Sequence, residues 1–414
     1  MDLRSIRAPM VGLILVVALG LGACGGDEDD DSGGAAGGEP ITIGFAAGLS
    51  GGILDAYDGP AAFTAEVAVD DINAEGGVDG RELQLEVVDT KSDAEQAANA
   101  AIKLLEDGAD VLVVPCDFDF GGGTAATEAE KQGVLAISSC GASVRFGPSG
   151  SGPLTFTMAT SGAGEGSTMA EWAYGNLDAR TAATLVDTTF LYGAESVGGF
   201  EGRFTAISGE IVASEQLKND DQSFASQISA IESAQPDVIY ASVYNPGAAR
   251  LLRQIRRAGI DTPVLWDEDI DGDYWKEALS DEDLNDMYFT TYASIYGDDP
   301  SDKLNDLVDQ YVDAEGDDFL VAAGLTGYSV VEAIAQAIEE AGGSTDGAEL
   351  AAVMQEWTDE EFLIGPTTYT EELHITPVRE QRIMQIENGE TTFLETFRPE
   401  EVALPEDVAG GSSE

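Results

Sequence analysis

The first repeating unit of the fold begins with Ile41-Thr42-Ile43-Gly44-Phe45, a short β-type run that is followed by a loop over residues 46–60. A helical pattern with apolar side chains on one side then covers residues 61–73. It stops at the Gly76-Gly77 pair, which suits a helix C-terminus. A strand followed by an amphipathic helix is the repeating unit of parallel α/β sheets. This stretch therefore indicates an α/β fold.

The same alternation continues to the end of the chain. Further strands are predicted over residues 83–88, 111–114, 134–138, 182–186, 211–213, 238–241 and 264–265. Helices are predicted over residues 94–106, 124–132, 167–174, 194–205, 248–258, 322–341 and 349–356. The last part shows antiparallel-looking strands over residues 367–370, 382–387 and 391–396. We therefore expect two α/β lobes, each a doubly wound parallel sheet covered by helices on both faces.

The charge balance argues against one large class of partners. The chain has 414 residues, of which 78 are acidic and 19 basic, for a net charge of −59. Nucleic-acid binding needs clustered basic side chains that contact phosphates, so we expect none. Two origins of the acidity stay open. One is a saline habitat, where salt screens self-repulsion, and the other is a simple drift towards acidic residues.

The N-terminal residues predict export and a lipid anchor. Two arginines precede an apolar run over residues 10–23, which is typical of a secretory signal and shorter than the roughly 20 apolar residues of a membrane-spanning helix. The run ends in Leu21-Gly22-Ala23-Cys24, which resembles a bacterial lipobox. We expect a signal peptide over 1–23, lipid attachment at Cys24 and a flexible tether over 24–39. An ordinary signal peptide beside an unmodified cysteine is the alternative.

The two remaining cysteines predict a disulfide. Cys116 and Cys140 each end one of two neighbouring predicted strands, which lie about 4.8 Å apart in a sheet, and export favours oxidation. Two free buried thiols are the alternative. The single histidine, His374, leaves little material for a histidine-based triad or metal cluster, and we assign it no role. We expect no cofactor and no metal.

One stretch carries a specific resemblance. The run Asn73-Ala74-Glu75-Gly76-Gly77-Val78-Asp79-Gly80-Arg81, together with weaker matches, resembles the leucine/isoleucine/valine-type solute-binding proteins of ABC importers. The weaker matches follow in the family's order: Leu49-Ser50-Gly51, Val87-Val88-Asp89-Thr90, Leu191-Tyr192-Gly193, Gln235-Pro236-Asp237-Val238 and Leu251-Leu252-Arg253-Gln254. Together these matches span almost all of the chain after the tether.

The resemblance implies the type I periplasmic binding protein fold, in which two doubly wound lobes joined by three crossings close around a small solute. The N-terminal lobe would comprise residues 40–158 and 290–365. The C-terminal lobe would comprise 159–289 and 366–404, followed by a disordered tail over 405–414. Ligands of open α/β sheets bind beyond the carboxyl ends of the strands, so the segments that follow the strands form the candidate site.

The resemblance assigns the ligand's α-carboxylate to the loops after the third and fourth strands. The matching positions are Asp117, Cys140 and Ala142, with Ser143 adjacent, and backbone N–H groups would be the main donors there. Asp117 departs from the family, which has a serine-like residue at this position. Either Asp117 turns away and caps the following helix, or the solute presents a donor or a cation to it.

The resemblance also assigns an acid to the ligand's amine, and the matching residue is Glu268. Four aspartates surround it in the sequence: Asp267, Asp269, Asp271 and Asp273. A solvated acidic loop is therefore the alternative. The spacing of these acids does not complete a calcium-binding loop.

Aromatic side chains are expected around the bound solute. Tyr57, Tyr192 and Tyr244 match aromatic positions of the family, and Phe118 and Trp266 are further candidate walls. Aromatic rings suit a largely apolar pocket with a few polar anchors, and they can also face a cation. Simple packing at the rim is the alternative for each ring.

These features predict a lipid-anchored receptor that captures an amino acid or a related small polar solute and delivers it to an ABC transporter permease. The protein would lie on the outer face of the cytoplasmic membrane, held by its N-terminal lipid. A ligand-binding sensor that signals to a membrane receptor is the alternative and would use the same residues. An enzyme is not expected, because the chain has one histidine and no phosphate-loop motif.

Replacing Cys24 tests the predicted anchor. A Cys24→Ala variant should leave the membrane fraction, because without the lipid the processed chain has no other predicted attachment. Cell fractionation with immunodetection measures the partition. A Ser32→Ala variant in the tether is the matched control and should stay membrane-bound. Retention of the Cys24→Ala variant in washed membranes would contradict the lipid anchor.

Overall fold

Two sheets and their surrounding helices make up residues 38–405, the part of the chain that the structure, a computed structural model, describes. The strands of the first sheet are β1 (Ile41–Ala47), β2 (Leu83–Asp89), β3 (Val111–Val114), β4 (Ala136–Ser138) and β5 (Thr155–Thr157). They are parallel and lie in the order β2-β1-β3-β4-β5. Three helices alternate with them: α1 (Asp55–Ala74), α2 (Ala94–Asp107) and α3 (Gly123–Gln132).

Local sequence sets the bounds of α2. The Asp93 side chain accepts a hydrogen bond from the Gln96 N–H at 2.9 Å and so caps the first turn. The helix ends at Gly108, whose φ of 104° is left-handed and favours glycine. Between these ends Ala97 and Leu104 are fully buried against the sheet. The helix therefore begins and ends where its caps are, with its apolar side on the core.

After β5 the chain crosses to a second sheet. The helices that cover this sheet are α4 (Gly162–Asn176), α5 (Leu191–Ala206), α6 (Ala225–Ala234) and α7 (Gly247–Arg257). Its first strands are β6 (Thr181–Asp187), β7 (Glu210–Leu217), β8 (Val238–Ser242), β9 (Val264–Trp266) and β10 (Met287–Thr291). These five strands run parallel to their neighbours within the group.

The chain then returns to the first sheet and leaves it again. The returning elements are α8 (Asp302–Glu315), α9 (Thr326–Glu340), α10 (Gly347–Met354) and the hairpin β11 (Glu360–Phe362) and β12 (Gly365–Thr367). The last strands, β13 (Gln381–Glu387) and β14 (Glu390–Phe397), complete the second sheet in the order β14-β13-β10-β9-β8-β6-β7. The chain thus passes between the sheets three times, over residues 158–161, 292–301 and 368–380.

Each sheet has its own core, so we call the two halves the first and second lobes. In the first lobe, Ile43 of β1 and Val113 of β3 share a core with Ile334 of α9. The Thr64 hydroxyl of α1 also donates to the Gly324 carbonyl at 2.6 Å. The first lobe is therefore completed by a segment that follows the second sheet, and the doubly wound α/β architecture expected from the sequence is present.

Several element predictions need correction. Helix α1 begins at Asp55 rather than at residue 61, since Pro60 lies inside the helix instead of ending the loop before it. Helices α6 and α8 were not predicted, although Ser301 caps α8. The predicted strand over 367–370 is instead β12, which pairs only with β11 because the chain turns towards the third passage there.

Parts of the N- and C-terminal predictions lie outside the described residues. They are the signal peptide, Cys24, most of the tether and residues 406–414 of the tail. Over residues 38–405, none of the helices is both long enough and apolar enough to span a bilayer.

A disulfide joins Cys116 and Cys140, which follow the neighbouring strands β3 and β4 and have their Cα atoms 4.8 Å apart. Both residues are buried. The bond closes a loop with a sequence separation of 24, so it restricts the unfolded chain. It also ties together two of the loops that carry predicted ligand-binding residues.

Removing this disulfide should lower the free energy of unfolding. The chain-entropy model gives about 3.5 kcal/mol for a loop of this size, so the Cys116→Ser/Cys140→Ser double variant should unfold at clearly lower urea. Urea titration followed by circular dichroism measures this loss. Reduced wild type is the matched control and should unfold at the variant's lower midpoint. Equal midpoints for oxidised wild type and the variant would refute the stabilising disulfide.

Candidate functional site

A narrow cavity lies where the carboxyl ends of strands from both lobes face each other. This is the edge at which open α/β sheets bind ligands. The lining residues are Cys116, Asp117, Phe118, Asp119, Cys140, Ala142 and Ser143 from the first lobe and Tyr192, Tyr244 and Glu268 from the second. Seven of the eight residues predicted to bind the ligand are among them.

The other two candidates, Tyr57 and Trp266, do not line the cavity. Tyr57 is buried and meets Tyr244 edge-on, with ring centroids 6.3 Å apart, so it stands behind the cavity wall. Trp266 is fully buried in the core of the second lobe and does not line the cavity. The candidate role of Trp266 as a wall is therefore corrected, because the side chains of β9 alternate and this one points into the core.

The first lobe presents backbone donors to the cavity. Among the described residues, the N–H groups of Cys140, Ala142 and Ser143 donate no hydrogen bond to another residue. The Gly141 N–H between them donates to Ser138 Oγ at 3.0 Å, so only the Ala142 and Ser143 groups are consecutive. Consecutive free N–H groups in a loop favour an anion. This wall can therefore hold a carboxylate without a basic side chain.

Asp117 caps the turn that follows it. One carboxylate oxygen accepts from the Asp119 N–H at 2.8 Å and the Phe120 N–H at 3.1 Å. The other oxygen accepts from the Tyr244 hydroxyl at 3.4 Å. Burial raises the pKa of Asp117 to about 6. Of the two roles considered for this departure from the family, the structure therefore shows the cap, although the residue also lines the cavity.

The second lobe presents acids. Glu268 begins a short helical turn after β9, and its Oε2 atom is buried without a hydrogen-bond partner. Behind it, Glu165 of α4 accepts from the Tyr192 hydroxyl at 2.6 Å and from the Glu268 N–H at 3.5 Å. Burial raises the pKa of Glu165 and of Glu268 well above the ordinary value. The negative charge of Asp267 raises the pKa of Glu165 further, and the charges of Glu165, Asp271 and Asp267 raise the pKa of Glu268 further.

Most of the acidic loop is not solvated, which corrects the alternative considered from the sequence for every acid except the exposed Asp273. Asp267, Glu268, Asp269 and Asp271 are all buried. Asp267 accepts from Ser196 at 2.6 Å and Asp269 from Ser242 at 3.3 Å, so these two bond within the lobe rather than to solvent. Of the ion pairs found within residues 38–405, none involves these four acids.

Hydrogen bonds join the two lobes around the cavity. The carboxylate of Asp119 accepts from the N–H of Leu191, the first residue of α5, at 2.8 Å. Ser143 donates to Glu195 at 2.8 Å, and Asp271 accepts from the Ala322 N–H at 2.7 Å. The cleft is therefore closed in this structure, and both sides of the cavity contribute to its closure.

Sequence reasoning missed Asp119 and Glu165. Asp119 follows the end of β3, so its position beyond a strand was a usable signal. Glu165 lies in the first turn of α4 and far from any strand end. Nothing local in the sequence indicated its contact with Tyr192, which is 27 residues away.

Comparison with known proteins decides the family. Residues 40–391 match the family described as periplasmic binding protein. The chain belongs to this family. Membership places the protein outside the cytoplasm and accounts for two lobes that enclose a ligand cavity.

Relatives of this periplasmic binding protein bind different solutes. The Leu/Ile/Val-binding protein BraC3 of Rhizobium johnstonii is 25% identical over 335 residues, which cover 80% of this chain and 88% of that protein. The branched-chain amino acid transporter substrate binding protein LivJ from Streptococcus pneumoniae, in complex with isoleucine, has a TM-score of 0.72, 24% identity and coverage of 87% and 100%. A solute binding protein of an ABC transporter from Rhodopseudomonas palustris, in complex with 3,4-dihydroxybenzoic acid, has a TM-score of 0.70, 20% identity and coverage of 89% and 99%. These solved structures establish the shared fold.

The buried acids predict an unusual pH dependence of stability. Burial raises the pKa of Asp267 from 3.8 to about 6, so its contribution to stability is fully present below about pH 4 and is lost as the pH rises through 6. A shift of this size corresponds to up to about 3 kcal/mol. The free energy of unfolding of the ligand-free protein should therefore fall between pH 4 and pH 7.

In an Asp267→Asn variant the free energy of unfolding should fall less between pH 4 and pH 7. The amide oxygen still accepts from Ser196, but the amide does not titrate. Urea titrations at several pH values measure the slope. Asp306→Asn, at an exposed position, is the matched control for the change in net charge. The same slope for both variants would show that general repulsion, and not the buried acid, causes the pH dependence.

Proposed function

We propose that this periplasmic binding protein captures an α-amino acid, or a related small solute with an amine and an anionic group, and delivers it to an ABC transporter permease. The observation that carries the proposal is the polarity of the cavity. Free N–H groups line one side and the unpaired Glu268 carboxylate lines the other. An α-amino acid carries a carboxylate and an ammonium group on one carbon, so it satisfies both walls at once.

The ammonium end has the stronger support. Glu268 is the one cavity acid with an unpaired buried oxygen, since the side chains of Asp117 and Asp119 are engaged in caps and contacts between the lobes. Burial favours the protonated form of Glu268 in the empty cavity, and a ligand cation beside it would favour the ionised form and pair with it. A carboxylate ligand without an amine would leave Glu268 unpaired and add a like charge.

The aromatic rings at the cavity support a solute with an apolar part. The rings of Tyr192 and Tyr244 stack with centroids 6.0 Å apart, and Phe190 meets Tyr244 at 4.6 Å. These rings supply the apolar wall that a ligand side chain needs. The isoleucine bound by the related LivJ is a solute of this kind.

Capture would proceed by movement of the lobes. We propose that the lobes comprise residues 40–158 with 290–365 and residues 159–289 with 366–404, and that the three passages between the sheets form the hinge. The hydrogen bonds that join the lobes around the cavity would break in the open form and re-form over the ligand. Lipid attachment at Cys24 would keep the receptor beside its permease.

Glu268→Gln should weaken binding of the ammonium group selectively. Loss of a charge-assisted contact costs roughly 1.5 to 3 kcal/mol, or about 10- to 150-fold in affinity. The ligand pair is the standard L-amino acid that binds best in a thermal-shift screen and its deaminated analogue. Calorimetry should show a much larger loss for the amino acid than for the analogue.

The control for this prediction is Glu282→Gln, an exposed position in the same lobe with the same change in charge. It should leave both affinities unchanged. Equal losses for the two ligands in Glu268→Gln would mean that Glu268 only shapes the loop. A preferred ligand without any amine would refute the proposed solute class.

A further inference from the structure

The Tyr192 hydroxyl is held by an acid that does not itself reach the ligand cavity. Tyr192 lines the cavity, whereas Glu165 is fully buried behind it. The hydroxyl donates to Glu165 Oε2 at 2.6 Å, the same oxygen that accepts from the Glu268 N–H at 3.5 Å. A phenol has a single proton to donate. Once that proton is directed at Glu165, the Tyr192 oxygen can only accept from a ligand.

The placement of Glu165 favours this arrangement. It lies in the first turn of α4, where the helix dipole favours a negative charge. Its Oε2 atom also accepts from the backbone N–H of Glu268, so one oxygen positions both a cavity hydroxyl and the loop that carries the cavity acid. The other oxygen is buried without a partner. A buried, half-satisfied acid is costly, so a purely structural position would be better filled by an apolar residue.

The hydroxyl of the neighbouring Tyr244 ring is likewise bonded to an acid. The Tyr244 hydroxyl donates to Asp117 at 3.4 Å, which leaves its oxygen as an acceptor too. A ligand cation beside Glu268 favours its ionised form. With Glu268 ionised, the second lobe offers the cavity three acceptors and no donor among its three lining side chains. A protonated primary amine has three N–H donors and no acceptor, so it matches this set. A hydroxyl or a carboxylate in its place does not.

We propose that Glu165 is a positioning residue that sets the ligand class of this cavity: by fixing the Tyr192 hydroxyl as an acceptor, it selects solutes with a primary ammonium group over their hydroxy analogues. This inference rests on the proposed function and assigns a role to a residue outside the cavity wall. Glutamine at position 165 would reverse the polarity, because its amide can donate to the Tyr192 oxygen. The Tyr192 proton would then be free to point into the cavity.

A double-mutant cycle tests this role. The probes are the twenty standard amino acids, putrescine and spermidine, and the best-binding amine of this panel is paired with the analogue that has a hydroxyl in place of its amine. Calorimetry measures both dissociation constants for wild type, Glu165→Gln, Tyr192→Phe and the double variant. Glu165→Gln should lower the ratio of amine to hydroxy affinity on the order of tenfold, as expected for the reversal of one hydrogen bond.

The cycle separates positioning from packing. If Glu165 acts through the Tyr192 hydroxyl, Glu165→Gln should leave the ratio unchanged in the Tyr192→Phe background, because the hydroxyl is absent there. The same tenfold fall in both backgrounds, or no fall in either, would overturn the inference while leaving the proposed function intact. If Glu165→Gln does not fold, Tyr192→Phe alone must lower the ratio, and an unchanged ratio overturns the inference. Failure of wild type to bind any amine of the panel would overturn both.

Discussion

Acids that are buried between the lobes without a cationic partner are the constraint on which the cleft depends. Some of these acids are held by groups from neighbouring elements, as when Asp267 accepts from Ser196 and Asp271 accepts from Thr291 at 3.0 Å. These bonds fix the loops that follow β9 and β10. Hydrogen bonds compensate only part of the cost of burying a carboxylate, so the empty cleft carries a deficit of positive charge. A cationic ligand would reduce this deficit, and that reduction is the physical basis of the proposed capture.

The passages between the sheets bury a cation. Arg379 is fully buried among the passages between the sheets, and its guanidinium donates to the Met158 carbonyl at 2.8 Å and to the Pro366 carbonyl at 3.1 Å. Its third partner is the Thr367 hydroxyl at 2.8 Å. The first and third passages are thus joined by one side chain whose five donors suit several carbonyls.

The sequence predicted the fold and most of the cavity wall for one physical reason. The carboxyl ends of parallel strands meet at one edge of a sheet, so Asp117 and Cys140 had to lie close together once the strands were recognised. Glu268 follows a strand of the second sheet, and its place opposite them was implied by the resemblance. The sequence did not predict whether the loop around Glu268 is solvated, because burial depends on the opposing lobe and not on local composition. The sequence did not indicate Glu165 for a related reason. Its contact with Tyr192 joins two helices, α4 and α5, that are separate in the sequence. The cap at Ser301 and the apolar spacing of Leu304 and Val308, in contrast, were sufficient signals for α8.

The two lobes differ in the kind of group that they present, and this difference couples recognition to closure. The first lobe offers N–H donors near Cys140 and Ala142, and the second offers acceptors near Glu268. A solute that satisfies only one lobe leaves buried polar groups unpaired on the other when the cleft closes, at about 1 to 3 kcal/mol for each group. The loss of affinity for such a solute therefore exceeds the energy of the contacts that it lacks. Other sites that are built to hydrogen-bond their ligand behave in the same way. Closure over a solute with both an anionic and a cationic group would satisfy both walls. The stability of the closed form therefore depends on which ligand is bound.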